Sequence, residues 1–318
     1  MMAPKKVNLR RVVFWAVVIA ILALLPPVAA ALKEPFYLDL VRRVMIFAIA
    51  AASLNLILGY GGLVSFGHAA YLGIGGYAVG ILAFYGTNDG WIQWGTAIVA
   101  SALVALVIGA VSIRTTGIHF IMITLAFTQM LYYLGVSLEV FGGDDGMRIK
   151  MRSQFNGLFD LADPVTFYYV VLVLMLASIY LVERIANSRF GMVLRATKSN
   201  EARSRAIGYS PYLYRLAAFS IAGAICGLAG ALLANHTSYI TPDFMHWTRS
   251  GEIMFMVILG GIASAAGPLL GALTFLLLET VLSGWTAHWQ AILGPLLILS
   301  VIFFRRGLAG AIPGARDG

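Results

Sequence analysis

The chain has 318 residues, 60% of them hydrophobic and only 11% charged, with a formal net charge of +8. Soluble domains carry roughly a quarter charged residues, so a soluble fold of this composition would expose far too much apolar surface. The basic residues sit beside apolar runs, as topology determinants do, which argues against nucleic-acid binding, and the single cysteine, Cys226, excludes an internal disulfide and any cysteine-based metal cluster.

Apolar runs of 18 residues or more recur, which predicts an all-α polytopic membrane bundle rather than a β-barrel. Ten segments are legible, at about 12–32, 38–58, 69–86, 92–112, 118–138, 164–182, 213–235, 252–266, 268–283 and 290–304. The first follows Lys5, Lys6, Arg10 and Arg11, and Ala29 and Ala31 fit a signal-peptide cleavage pattern. Its length of about 20 residues suits an uncleaved first helix better than a signal peptide. The eighth and ninth are short and joined at Ala265, Ala266 and Gly267, so a single broken helix or a re-entrant pair, and nine spans, would also fit. The whole chain reads as one transmembrane domain, 1–318.

With ten spans and both termini in the cytoplasm, 15 of the 22 basic residues fall inside and ten of the 14 acidic residues outside, as the positive-inside rule requires. Arg148, Lys150 and Arg152 are a local exception, expected to be partly neutralised by Asp144 and Asp145. Trp15, Trp91, Trp94, Trp247, Trp285 and Trp289 lie near predicted span ends and read as interface anchors.

Between the second and third spans, residues 54–77 concentrate Gly59, Gly61, Gly62, Ser65, Gly67, Gly73, Gly75 and Gly76. Glycine there breaks the helix, and irregular backbone at membrane depth survives only when buried in protein or lining a water-filled cavity. The stretch is therefore either part of a translocation path or a tight glycine-rich hairpin. Gly73-Ile-Gly75-Gly76-Tyr77-Ala78 matches a dinucleotide fingerprint in form but has no βαβ unit around it. Gly76 with Gly80, Gly223 with Gly227 and Gly267 with Gly271 have the spacing of close helix crossings.

Residues 183–215 break the apolar character with seven basic residues (Arg184, Arg189, Arg195, Lys198, Arg203, Arg205 and Arg215) and two acidic ones. This predicts a cytoplasmic loop. Ser199 is the expected N-cap of a short helix over 200–207, with Glu201 in its first turn, Gly208 as terminator and Pro211 beyond it. A second helical piece is expected over 190–197, with Phe190, Val193 and Leu194 on one face. Topology needs charge but not structure, so a capped helix points to a docking element. A bare basic loop that touches lipid headgroups is the simpler alternative.

Ionisable groups inside the spans are sparse. Glu279 is the only carboxylate well inside one, and Glu252 is expected in the first turn of a helix capped by Ser250. An ion-coupled carrier of small polar solutes needs several such groups, and a membrane enzyme acting on lipid would need a polar cluster for which only Asp144 and Asp145 offer themselves. The five histidines show no metal-ligand spacing. A Walker A motif is absent, so any ATP would be bound by another subunit.

Five stretches, in order, resemble the permease family of branched-chain amino acid ABC importers, the LivM-like branch. The first carries Asn55, Leu56, Gly59, Tyr60, Gly62, Ser65, Gly67, His68 and Ala69. The second is GIHFIMITLAFTQ from Gly117, with His119 in place of the usual aromatic residue. The third is GGDDG from Gly142, with Phe141 where threonine is usual. The fourth is the loop, through Arg195, Ala196, Glu201, Ala202, Arg203 and Gly208, with a looser fit at Gly191, Met192 and Val193. The fifth runs from Ser250 to Gly271 and includes Gly260 and Gly261. The resemblance implies a fold like the type II ABC importers, in the bacterial inner membrane. It implies a second permease subunit, usually a different chain, two ATPase subunits that bind ATP and Mg, and an extracytoplasmic solute-binding protein. It makes 184–212 the ATPase-coupling loop, with Arg195, Glu201, Ala202, Arg203 and Gly208 as its contact residues. Asn55, Gly59, Ser65, His68, Gly260 and Gly261 become candidates for the path, and no cofactor is expected in this chain.

Overall fold

A computed structural model describes residues 9–32, 35–155, 157, 159–286, 288–303 and 307–311. Each of the ten apolar segments is a helix, and two more helices lie in the basic loop. In chain order they are α1 (Leu9–Leu32), α2 (Pro35–Asn55), α3 (His68–Phe84), α4 (Gly90–Ser112), α5 (Ile118–Ser137), α6 (Pro164–Ala186), α7 (Arg189–Ser199), α8 (Glu201–Ala206), α9 (Pro211–Thr237), α10 (Trp247–Gly260), α11 (Gly267–Trp285) and α12 (Trp289–Phe303). Their starts follow from sequence chemistry. Asp89, Asp163 and Ser188 cap α4, α6 and α7 through side-chain oxygens, and Pro164 and Pro211 open α6 and α9, where no backbone donor is needed.

Six helical stretches are long and apolar enough to cross a membrane: Phe36–Tyr60, Gly90–Ser112, Ile118–Ser137, Pro164–Ala186, Pro211–Thr237 and Gly267–Trp285. The protein is an all-α membrane helix bundle. α2 and α9 form its centre. α2 is buried along most of its length between α6, α9, α10 and α11, and α9 packs along α3 and α4. α5 keeps only a narrow buried stripe, through Phe120, Thr124, Thr128 and Gly135.

The connections gather at two ends. At one, β1 (Met147–Arg148) pairs antiparallel with β2 (Tyr239–Ile240), and Asp89 bridges to Gln154. Ser153 Oγ donates to Gln93 Oε1 at 2.5 Å, and its backbone N–H donates to Asn235, so the loop between α5 and α6 is fastened over α4 and α9. This is the clasp end. Arg152 there does not pair with Asp144 or Asp145 as expected; its guanidinium donates to the Leu161 carbonyl and lies over Phe167. Trp91, Trp247, Trp285 and Trp289 stand within a residue of the ends of α4, α10, α11 and α12. The other end holds α7 and α8, the α4–α5 turn and the α10–α11 break. Tyr212 at the start of α9 donates to the Ala110 carbonyl near the end of α4, which fixes these elements at one level.

Residues 54–77 are not a helical hairpin. α2 widens into a π-turn over Leu56–Tyr60, and residues 61–67 are irregular yet mostly buried. α3 begins only at His68, whose Nε2 lies 2.7 Å from Ser53 Oγ partway up α2. Gly73, Gly75 and Gly76 all sit inside α3 and form no phosphate-binding loop.

Candidate functional site

At the loop end three irregular segments meet: the π-turn after α2, the α10–α11 break and the α7–α8 loop. The loop is the two-helix unit expected, with one correction. Ser199 is the last residue of α7, and Asn200 is the cap of α8, its side chain accepting from Arg203 N at 2.9 Å. Asn200 is extended (φ −156°, ψ 104°), so it serves as the joint between the helices. Gly208 ends the unit at φ +90°, a conformation that favours glycine.

Val193 and Leu194 are buried on one face of α7, and Phe190 packs against Tyr214 with ring centroids 5.4 Å apart. Arg195, on the same helix, is half-buried. Glu201 opens α8 and takes two partners, Arg205 at 2.5 Å and Arg215 at 2.7 Å. Partial burial works to raise the Glu201 carboxyl pKa, but the hydrogen-bonded Arg215 and Arg205 outweigh it and hold the group below the usual carboxylate value of 4.5. Ala202 and Arg203 stay exposed, while Ser204 is buried and anchors the helix.

α7 reaches the bundle through Lys198. Its Nζ donates to the Gly59 carbonyl at 2.8 Å, inside the π-turn. Gly59 in turn lies against Asn55 and Ala263. Asn55 Nδ2 donates to the Ser264 carbonyl and Oδ1 accepts from Ala263 N, both at 2.9 Å, while Tyr60 Oη donates to the Ala263 carbonyl at 3.0 Å. Backbone freed from helical pairing at this depth needs other partners, and Asn55, Tyr60 and Lys198 supply them. The break itself bends at Gly261 (φ +117°) and Ala263 (φ +60°). Beside it α10 and α11 cross so closely that a Cβ at Gly271 would run into the Met256 carbonyl.

Asn55, Gly59, Gly260 and Gly261 thus come together at one junction. Ser65 and His68 do not join it. Ser65 Oγ accepts from Gly67 N at 3.1 Å, and His68 faces Ser53 in the bundle interior. Ser250 does not cap α10, which starts at Trp247; its Oγ accepts from Ala69 N at 2.9 Å and secures the start of α3. Glu252 consequently lies beyond the first turn, paired with Arg249 at 2.8 Å. Lys198 was legible only as a topology charge, and nothing in the sequence pointed it at Gly59.

The clasp end carries a second polar cluster that sequence reasoning did not assemble. Arg43 on α2 pairs with Glu279 on α11 at 3.0 Å, and Arg42 pairs with Asp39 at 2.7 Å.

Residues 36–302 match the protein family described as branched-chain amino acid transport system / permease component. The chain is 26% identical over 293 residues to the high-affinity branched-chain amino acid transport system permease protein LivM of Salmonella typhimurium, covering 85% of this chain and 69% of that protein. It is 24% identical over 306 residues to the probable branched-chain amino acid transport permease protein LivM of Methanocaldococcus jannaschii, covering 81% and 85%. Over 232 residues it is 26% identical to the autoinducer 2 import system permease protein LsrC of Yersinia pseudotuberculosis, covering 69% and 65%. No solved structure matches the chain.

Proposed function

Because this chain belongs to the branched-chain amino acid transport system / permease component family, we propose that it is the permease subunit of an ATP-driven importer of branched-chain or related amino acids. It is a transport subunit rather than an enzyme. In this reading the ten helices are ten passes of a type II-like permease in the bacterial inner membrane, with the loop end and both termini in the cytoplasm. A second permease chain completes the pathway, two ATPase subunits dock on residues 184–212 and bind ATP and Mg, and a solute-binding protein delivers the amino acid to the clasp end.

The observation that carries the proposal is the contact from Lys198 to the Gly59 carbonyl. It joins the docking loop to the one place, among the described residues, where α2 and the α10–α11 break share hydrogen bonds. A push on α7 and α8 is thereby applied to backbone that has few regular helical bonds to hold it. The end of α8 and the turn after it also offer a partner a suitable face. Ile207 is 64% exposed and Tyr209 44%, beside Arg203 and Arg205. Exposed apolar side chains framed by arginine are typical of protein interfaces.

The test is uptake by the assembled importer in proteoliposomes. ATP-driven uptake of leucine, isoleucine or valine is expected with all subunits present and none from this chain alone. Glu201→Lys and Gly208→Pro should insert normally and abolish uptake. Ion-gradient uptake by the isolated chain, or normal uptake by both variants, would overturn the proposal.

A further inference from the structure

The loop between α5 and α6 carries Arg148, Lys150 and Arg152, the basic cluster that departs from the charge pattern of the rest of the chain. Among the described residues none of the three is ion-paired, and the Lys150 ammonium group makes no hydrogen bond. Beside the loop, between the start of α6 and the end of α9, lies an open pocket of about 770 Å³. Lys150 and Arg152 line it, with Phe155 and Phe159 as apolar walls and Asp160 as its carboxylate.

Asp160 accepts from the Ala162 N–H at 2.8 Å. Arg152 gives Nη1 to the Leu161 carbonyl at 2.8 Å, which orients the guanidinium and leaves most of its five donors unused. A second guanidinium stands close by. The guanidinium carbons of Arg42 and Arg152 lie 5.6 and 5.2 Å from the centre of the Phe167 ring. Asp39 pairs with one nitrogen of Arg42, whose Nε and Nη1 are buried without a partner among the described residues. Three cations (Lys150, Arg152 and Arg42) thus stand against two carboxylates (Asp39 and Asp160), and the excess around the pocket is positive.

The pocket opens where the exposed apolar sides of α4 and α6 begin. Phe155 packs against Trp91 and Trp94 of α4, with ring centroids 5.2 and 4.7 Å apart, and tryptophan favours the membrane–water boundary. Pro164 lines the pocket, and after it Val165, Tyr169 and Val173 follow at four-residue spacing, all exposed. Residues so spaced share one side of a helix, so an apolar track leads away from the basic pocket. Arginine and lysine suit a phosphate, and basic pockets beside membrane helices take anionic lipid headgroups. A free anion would use the cations and leave the track bare; a phospholipid uses both.

We infer that this pocket binds an anionic phospholipid, its phosphate between Lys150 and Arg152 and an acyl chain along Val165, Tyr169 and Val173. The inference requires only the membrane bundle and stands apart from the importer reading. It accounts for a basic cluster that keeps its charge without acids to neutralise it. Bound there, the lipid braces the loop between α5 and α6 against α6 from outside the bundle.

The test is native mass spectrometry of the purified full chain in detergent, with phosphatidylglycerol, phosphatidylcholine or inorganic phosphate added. Phosphatidylglycerol should stay bound. Phosphatidylcholine, whose choline cancels the phosphate charge, should be retained about tenfold less, equivalent to about 1.4 kcal/mol. Lys150→Gln removes no bond within the described residues, so the fold should be kept while phosphatidylglycerol retention falls about tenfold. Lys150→Arg should keep the lipid, and so should Arg148→Gln, because Arg148 does not line the pocket. Phosphatidylglycerol with a diazirine near the top of its acyl chain should label Val165 or Tyr169. Equal retention of the two lipids, displacement of phosphatidylglycerol by equimolar inorganic phosphate, equal losses in Arg148→Gln and Lys150→Gln, or label confined to helices other than α6 would each overturn the inference.

Discussion

The same three helices, α2, α10 and α11, are fastened in opposite ways at their two ends. At the clasp end they are tied by ions: Arg43 to Glu279 across α2 and α11, and Arg249 to Glu252 within α10. About twelve residues along α2, or about 18 Å at helical rise, they are tied by neutral bonds from Asn55 and Tyr60 to main-chain groups of residues 263 and 264. The neutral end holds irregular backbone in place and receives a single cation, Lys198, from the loop. One set of helices thus carries ionic fastening at one end and neutral fastening at the other.

The comparison breaks most completely at the helix crossing both ends depend on. Gly271→Val puts a branched side chain against the Met256 carbonyl and is expected to destabilise the bundle by about 3 kcal/mol, read as loss of monodisperse protein and a lowered unfolding midpoint in detergent. Asn55→Leu removes the partners of Ala263 N–H and the Ser264 carbonyl and should cost about 2 kcal/mol by the same measurement. An unchanged midpoint would show that the α10–α11 break does not rely on Asn55.

Lys198→Met sharpens the contrast, because it removes the loop's bond to Gly59 without removing the fold. Uptake per ATP hydrolysed should fall about tenfold, equivalent to about 1.4 kcal/mol, with the unfolding midpoint nearly unchanged. The smallest effect concerns Glu201. Its carboxyl pKa is depressed in the folded protein, so its stabilisation is fully present above the unfolded value of 4.5 and is lost as pH falls through the lower folded value. The group is partly exposed, so the change should be no more than about 1 kcal/mol, and Glu201→Gln should flatten the pH dependence of stability below 4.5.

Hydrophobic length made all ten apolar helices legible, and glycine and charge made the two breaks and the basic loop legible. Local chemistry was nearly sufficient for α8, where the error was one residue: Asn200 outcompetes Ser199 because α7 continues through Ser199. The start of α10 was misread for a related reason. Ser250 looks like a cap, but its hydroxyl is used by Ala69 N, 181 positions away in the chain. What sequence pattern could not supply were bonds between distant positions ending on backbone. Lys198 and Gly59 are 139 residues apart, and the acceptor is a carbonyl that every residue has. Arg43 and Glu279, 236 apart, were each visible as a charge and not as a pair. Of the candidate path, Asn55, Gly59, Gly260 and Gly261 assembled because they flank backbone breaks. Ser65 and His68 did not, because they serve the irregular segment and the first turn of α3.

The fastening of the loop that carries α7 and α8 has one more consequence. The side-chain bonds of Glu201 and Asn200 close within residues 200–215, while Lys198 and Tyr212 reach outside to Gly59 and Ala110, in both cases to main-chain carbonyls. Such acceptors survive any substitution that keeps the backbone path. A loop transplanted from a relative would therefore find its moorings already present, and its exposed face could diverge in evolution without rebuilding the bundle beneath it.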